Sequence, residues 1–201
     1  GAKNHMIIMP DADLGQVAAA VQASAYGCAG ERCMAGSVAL PVGRIADEFV
    51  DVLRAKTAAI KVGETDGHDD IEMGPLITQE HRDRVAGYLD IATEEGATVA
   101  LDGRKINYQG DGFVIGPSIV DRVQPGTRLI QDEIFGPVLS VVHAESLDDA
   151  MAIGDQCEFG NGASIFTSNG YAARQFKQHF NAGMIGINIG VPAPMAWFPF
   201  T

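Results

Sequence analysis

Val138-Leu139-Ser140-Val141-Val142 is the stretch on which the fold turns, a nearly continuous apolar and β-branched run of strand length. Such a run, with no polar face, belongs to a strand buried on both sides, the habit of parallel sheets covered by helices. Downstream, Ser146-Leu147-Asp148-Asp149 reads as a capping box with Asp in place of Glu or Gln, opening a helix through Met151 and Ile153. Residues 163–167 then read as a strand, 171–180 as a helix with Phe176 and Phe180 on one face, and 184–188 as a last strand. Upstream, 113–120 reads as extended chain interrupted by Gly116-Pro117, and 97–101 as a strand closed by an Asp102-Gly103 turn. Val85, Leu89 and Ala92 mark a helix ended by Gly96, and a Gly- and Asp-rich loop over 63–74 separates it from a helix carrying Ile45, Phe49, Val52 and Leu53. Val38, Leu40 and Val42 alternate as a strand does. Before them, Pro10-Asp11-Ala12-Asp13 leads into a helix with Leu14, Val17, Ala18 and Val21 that stops short of Gly27. From that first helix the order is α, β, α, α, β, β, β, α, β, α, β. This alternation predicts one α/β domain, an open, mainly parallel three-layer sheet with flanking helices.

Composition narrows the chemistry. The 201 residues are 46% hydrophobic and 20% charged, enough apolar material for a substantial core. A formal charge of −12 repels phosphate backbones and anionic lipids, so neither nucleic acid nor membrane is expected as a partner. No apolar run reaches the ~20 residues that span a bilayer. Cys28, Cys33 and Cys157 form no CxxC pair and leave an odd thiol, which points to a reducing compartment, cytoplasmic or, in a eukaryotic source, the mitochondrial matrix. The five His are scattered without metal-ligand spacing, so no metal is expected. The chain opens at Gly1 without a Met and closes on the apolar Trp197-Phe198-Pro199-Phe200-Thr201, which reads as a piece of something longer.

Three loops could carry chemistry. Open parallel sheets usually place ligands outside the carboxyl ends of their strands, so loops there are the first place to look. Gly30-Glu31-Arg32-Cys33-Met34-Ala35 sets a thiol beside a guanidinium, and a neighbouring cation favours the thiolate form that attacks carbonyls. The same Cys is equally at home as an inert, buried structural residue, as are Cys28 and Cys157. Gln131-Asp132-Glu133-Ile134-Phe135-Gly136-Pro137 offers a carboxylate for sugar hydroxyls and a ring for a flat ligand, or else a turn that plugs the core. Phe159-Gly160-Asn161-Gly162-Ala163 allows close approach to a ligand, or is simply a tight turn. GxGxxG, Walker and GxSxG motifs are all absent from the sequence.

Seven motifs in series then carry a resemblance: Gly1-Ala2-Lys3-Asn4, Gly30-Glu31-Arg32-Cys33, Met73-Gly74-Pro75-Leu76, Gly116-Pro117-Ser118, Glu133-Ile134-Phe135-Gly136-Pro137, Ala163-Ser164-Ile165-Phe166-Thr167 and Gly186-Ile187-Asn188. In order and spacing they resemble the aldehyde dehydrogenase superfamily along the whole chain. The resemblance implies that 1–201 is a single catalytic domain without the N-terminal NAD-binding domain and the C-terminal oligomerisation segment. Within the superfamily the chain is more similar to the CoA-acylating methylmalonate-semialdehyde branch. His5, where hydrolytic members usually carry Pro, fits that branch, as do Arg32 before Cys33 and the ending Val191-Pro192-Ala193-Pro194-Met195.

By that resemblance Cys33 is the nucleophile, Arg32 helps to hold a substrate carboxylate, and Glu133 with Phe135 meets the nicotinamide riboside of NAD. Glu31 stands where Gln is more frequent, a change expected to be tolerated. The resemblance further implies a small-molecule semialdehyde substrate, CoA as acyl acceptor with loss of CO2, and a parent homodimer or homotetramer. The Glu that activates water in hydrolytic members, and an amide donor to the oxyanion, would lie outside this chain, which alone would be inactive or nearly so. Truncation would leave apolar surface exposed over 184–200. The rival readings are a hydrolytic dehydrogenase of another carboxylated semialdehyde and a non-catalytic α/β binding domain.

Overall fold

The computed structural model describes residues 1–193 and Trp197. Its sheet has seven strands in the order β3-β4-β5-β2-β1-β6-β7, formed by β1 (Asn4–Ile8), β2 (Gly36–Pro41), β3 (Thr98–Leu101), β4 (Ser118–Asp121), β5 (Val138–Val141), β6 (Gly162–Phe166) and β7 (Met184–Ile187). Every pairing is parallel except that of β3 with β4 at one edge. Every residue of β1, β5 and β6 is buried, so both faces of the sheet centre are covered. The cover comes from α1 (Leu14–Tyr26), α2 (Ala46–Thr57), α3 (Gln79–Glu94), α4 (Arg128–Gln131), α5 (Leu147–Gly154) and α6 (Gly170–His179). Helices α1 and α2 pack on each other, as do α5 and α6. The predicted α/β class and three-layer, mainly parallel arrangement are therefore observed.

Local chemistry sets the helix ends. Asp13 accepts from the Gln16 amide, Thr78 from His81, Ser146 from Asp149, and Asn169 from Tyr171 and Ala172, each satisfying first-turn donors that the helix itself leaves orphaned. Gly96 follows α3 with φ +81°, the left-handed conformation that ends a helix cheaply only at Gly.

The sequence reading errs at three places. Residues 6–8, an apolar run to which the sequence reading gave no element, form β1 with Asn4 and His5, hydrogen-bonded between β2 and β6 inside the sheet. Within the extended stretch 113–120 only residues 118–120 pair as strand, in β4 (Ser118–Asp121), and the four-residue α4 was not foreseen. The expected apolar exposure is observed at Ile187 and Ile189, 44% and 48% exposed, and at Trp197, while residues 194–196 and 198–201, including Pro194 and Met195 of the motif-bearing ending, lie outside the described residues. No helix among the described residues is long and apolar enough to cross a membrane.

Candidate active site

The residues singled out by sequence gather on one rim of the sheet, and it is the amino rim. Cys33 precedes β2, Glu133 and Phe135 precede β5, Lys3 precedes β1 and Asn161 precedes β6. This corrects the expectation of a carboxyl-end site. At the carboxyl rim the polar groups close on one another instead: Thr167 and Ser168 hydroxyls donate to Asp11, and Asn188 exchanges two bonds with the Thr167 backbone. Burial raises the Asp11 carboxyl, but the Ser168 and Thr167 bonds outweigh it and hold the group below the usual carboxylate range.

Cys33 is exposed, so the buried, inert alternative fails for it, as it does for Cys28; Cys157 is partly buried, and all three thiols are free. The turn bearing Cys33 is fixed through its carbonyl oxygen, which accepts from Asn4 Nδ2 at 2.9 Å and Asn161 Nδ2 at 2.8 Å. Asn4 is saturated: Nδ2 also reaches the Ala35 carbonyl at 2.8 Å, and Oδ1 takes the Gly162 amide at 3.1 Å. The Cys33 peptide is thus clamped from β1 and from the β6 entry while its side chain stays in solvent. Its own N–H makes no hydrogen bond among the described residues.

Glu133 and Phe135 lie on a segment whose four successive carbonyls each accept a side-chain bond. Lys3 Nζ takes Asp132 O at 2.9 Å, Arg84 takes Glu133 O at 2.8 Å and Ile134 O at 3.0 Å, and His81 Nε2 takes Phe135 O at 2.7 Å. Tyr88 bonds the Asp132 carboxylate and lies between the Arg84 and Arg128 guanidinium groups. Phe135 has φ +57°, uncommon for a bulky residue, and its ring is 38% exposed. The Glu133 side chain accepts the Ala2 amide on Oε1 alone, leaving Oε2 without a hydrogen bond among the described residues. The two loops pack backbone to backbone: Gly30, at φ +72°, lies so close to the Gly136 carbonyl that any Cβ would collide with it.

Arg32 is not aimed openly at solvent. Its Nη2 caps the end of α1, donating to the carbonyls of Ala23 at 2.8 Å and Ser24 at 3.0 Å, while its Nε is buried without a partner. Beneath the rim, burial lowers Lys3 to about 8 against the opposing pull of Cys157 and then of the Asp132 and Glu133 carboxylates, and lowers His5 to about 4, helped by the Lys3 charge. Asp47, Asp121 and His143 also bring their ligand atoms within 4.8 Å of one another, but Arg122 already bonds Asp47 at 2.6 Å and His143 bonds Asp121 at 2.7 Å.

Sequence reasoning assigned no role to Lys3, Asn4, His81 or Arg84, and treated Asn161 only as part of a glycine loop. A signal existed for two of them: three polar residues, Lys3-Asn4-His5, directly opening an apolar run are costly in a buried strand unless each finds a partner. Nothing comparable marks His81 or Arg84, whose partners are main-chain carbonyls.

Known proteins resemble this chain along its whole length. A malonate-semialdehyde dehydrogenase of Bacillus cereus (strain ATCC 10987 / NRS 248) is 50% identical over 202 residues, covering 100% of this chain and 41% of that protein. A Sinorhizobium meliloti 1021 protein assigned as a methylmalonate-semialdehyde dehydrogenase, solved in complex with NAD, superposes with a TM-score of 0.95 at 44% identity, over 98% of this chain and 40% of that one. The methylmalonate-semialdehyde dehydrogenase of Oceanimonas doudoroffii gives 0.94 at 43% identity, over 98% and 41%. The chain thus spans well under half the length of these relatives. With the aldehyde dehydrogenase family model matching residues 1–201 from end to end, the chain belongs to the aldehyde dehydrogenase family.

Proposed function

We propose that residues 1–201 form the catalytic domain of an NAD-dependent, CoA-acylating malonate- or methylmalonate-semialdehyde dehydrogenase. The observation that carries this reading is the convergence, on one rim, of an exposed thiol with a pinned carbonyl and a clamped loop bearing Glu133 and Phe135. The half-exposed Phe135 ring and the uncommitted Glu133 Oε2 suit the nicotinamide and ribose of NAD, one by stacking and the other by accepting sugar hydroxyls. These residues fit that end of the dinucleotide.

Cys33 Sγ attacks the aldehyde carbon, forming a C–S bond while the carbonyl oxygen becomes an oxyanion. The free Cys33 N–H is the donor this chain offers it. NAD, when bound, accepts the hydride that leaves this carbon. The resulting Cys33 thioester withdraws electrons from the carbon that bears the substrate carboxylate, so CO2 departs and the electron pair is held as a thioester enolate, which is then protonated. The CoA thiol finally displaces Cys33, releasing acyl-CoA. Arg32 Nη1, which makes no hydrogen bond among the described residues, is the donor left for the substrate carboxylate, and a guanidinium–carboxylate bond is a strong one.

The complete protein, given malonate or methylmalonate semialdehyde, is expected to yield acyl-CoA, NADH and CO2 in equal amounts, with product formation dependent on CoA. Free acid formed at the same rate without CoA would assign hydrolysis instead and overturn the acylating reading. The 201-residue polypeptide alone is expected to make no NADH. The parent assembles as a homodimer or homotetramer, a reading supported by exposed Ile187, the last residue of the edge strand β7, and exposed Ile189 just after it, and sedimentation tests it. The three free thiols support a reducing location, the cytoplasm or, in a eukaryote, the mitochondrial matrix.

A further inference from the structure

His81 is the one side chain among those described above that touches both active loops. From the first turn of α3, its Nε2 lies 2.7 Å from the Phe135 carbonyl and 3.6 Å from Glu31 Oε1, and Glu31 sits two residues before Cys33. Both partners are well covered, with the His81 and Glu31 side chains 20% and 11% exposed. That ring nitrogen therefore donates to the backbone that presents Phe135 and lies beside, though beyond hydrogen-bond distance of, the carboxylate on the turn that presents the thiol. Phe135 needs such a tether: its left-handed backbone at φ +57° is disfavoured for a bulky residue, and it persists only where neighbours hold it. Arg84 and Lys3 cannot replace this link, because their bonds go to the 132–134 carbonyls alone.

We propose that His81 is a positioning residue that locks the Phe135 loop to the Cys33 turn and so sets the separation between the nicotinamide platform and the nucleophile. The proposal rests on the dehydrogenase reading above. His81 touches neither substrate nor cofactor. It acts through the Phe135 carbonyl and the Glu31 carboxylate, and the immobilised geometry is what a hydride transfer over a few ångströms requires.

Two substitutions separate reach from ring chemistry. In H81Q the amide nitrogen lies about as far from Cα as Nε2 and can still donate to Phe135, whereas in H81N it falls short. NADH affinity in the complete protein, read by fluorescence titration without turnover, is expected to weaken about tenfold or more in H81N and to stay within about threefold of wild type in H81Q. A third variant, E31A, cuts the other arm: NADH affinity is expected to hold while kcat falls about tenfold, because Phe135 stays pinned but the thiol turn is released. This variant also decides the matter if H81N does not fold. Wild-type NADH affinity in H81N, equal weakening in H81Q and H81N, or an unchanged kcat in E31A would each overturn the proposal. A wild-type protein that binds no NADH would overturn the dehydrogenase reading itself, a different result from unequal variants of a protein that binds.

Discussion

The two rims of the sheet are built from similar polar residues and come to opposite ends. At the carboxyl rim Asp11, Thr167, Ser168 and Asn188 spend their hydrogen bonds on one another. At the amino rim Asn4, Asn161, Lys3, Arg84 and His81 donate to main-chain carbonyls, and the Cys33 thiol, the Phe135 ring and Glu133 Oε2 are left uncommitted among the described residues. A closed network stabilises and does nothing else. A network that grips backbone holds reactive side chains still without consuming them, which is the preorganisation catalysis needs.

The comparison breaks first at Cys33. C33A is expected to lower turnover by about 10⁴-fold or more while leaving the thermal midpoint unchanged, because the side chain is exposed and contributes no packing. C28A, equally exposed, is expected to leave turnover alone. Next comes N4A, which removes bonds to the Cys33 and Ala35 carbonyls and from the Gly162 amide. A loss of about 3 kcal/mol in a denaturant melt is expected, with a parallel fall in Cys33 alkylation selectivity. Lost stability with selectivity unchanged would mean the clamp is structural only.

His5 tests whether the amino rim carries a cost that the other rim avoids. Its folded pKa of about 4 lies below the 6.5 of an unfolded chain, so between those values the unfolded state binds a proton that the folded state refuses. Stability is therefore full above pH 6.5 and falls as pH drops towards 4, by about 3 kcal/mol in total. H5L is expected to flatten that part of the profile. The smallest effect belongs to the carboxyl rim: D11A is expected to cost about 1 to 2 kcal/mol with kcat/KM unchanged, and a large kinetic effect there would erase the distinction between the rims.

What could be read from sequence followed from local signals. The β5 run, the Asp13 cap and the Gly96 stop are each contained within a few residues, and all three appear where expected. Cys33, Glu133 and Phe135 stood out as a thiol, a carboxylate and a ring on loops, but the residues alone left inert readings open and their expected roles came from the resemblance. Strand β1 was missed because Lys3-Asn4-His5 looks like a solvated end, and only partners up to 158 residues away make its burial tolerable. The choice of rim was missed for a related reason: whether a rim's polar groups close on themselves depends on pairings such as Asp11 with Thr167 that have no sequence signature.

The central place of β1 governs the order in which the protein can assemble. This strand borders β2, close in sequence, on one side and β6, some 150 residues later, on the other. Long-range parallel pairing closes its loop before any contact rewards it, so the sheet forms slowly and late. During synthesis the β1–β2 pair with α1 can form early, but the open edge of β1 waits until residues 162–166 have left the ribosome. Cys33 is made near the start of this stretch, yet the clamp on its carbonyl is completed only when Asn161 arrives, so a nascent chain carries the thiol before it carries the geometry that holds it.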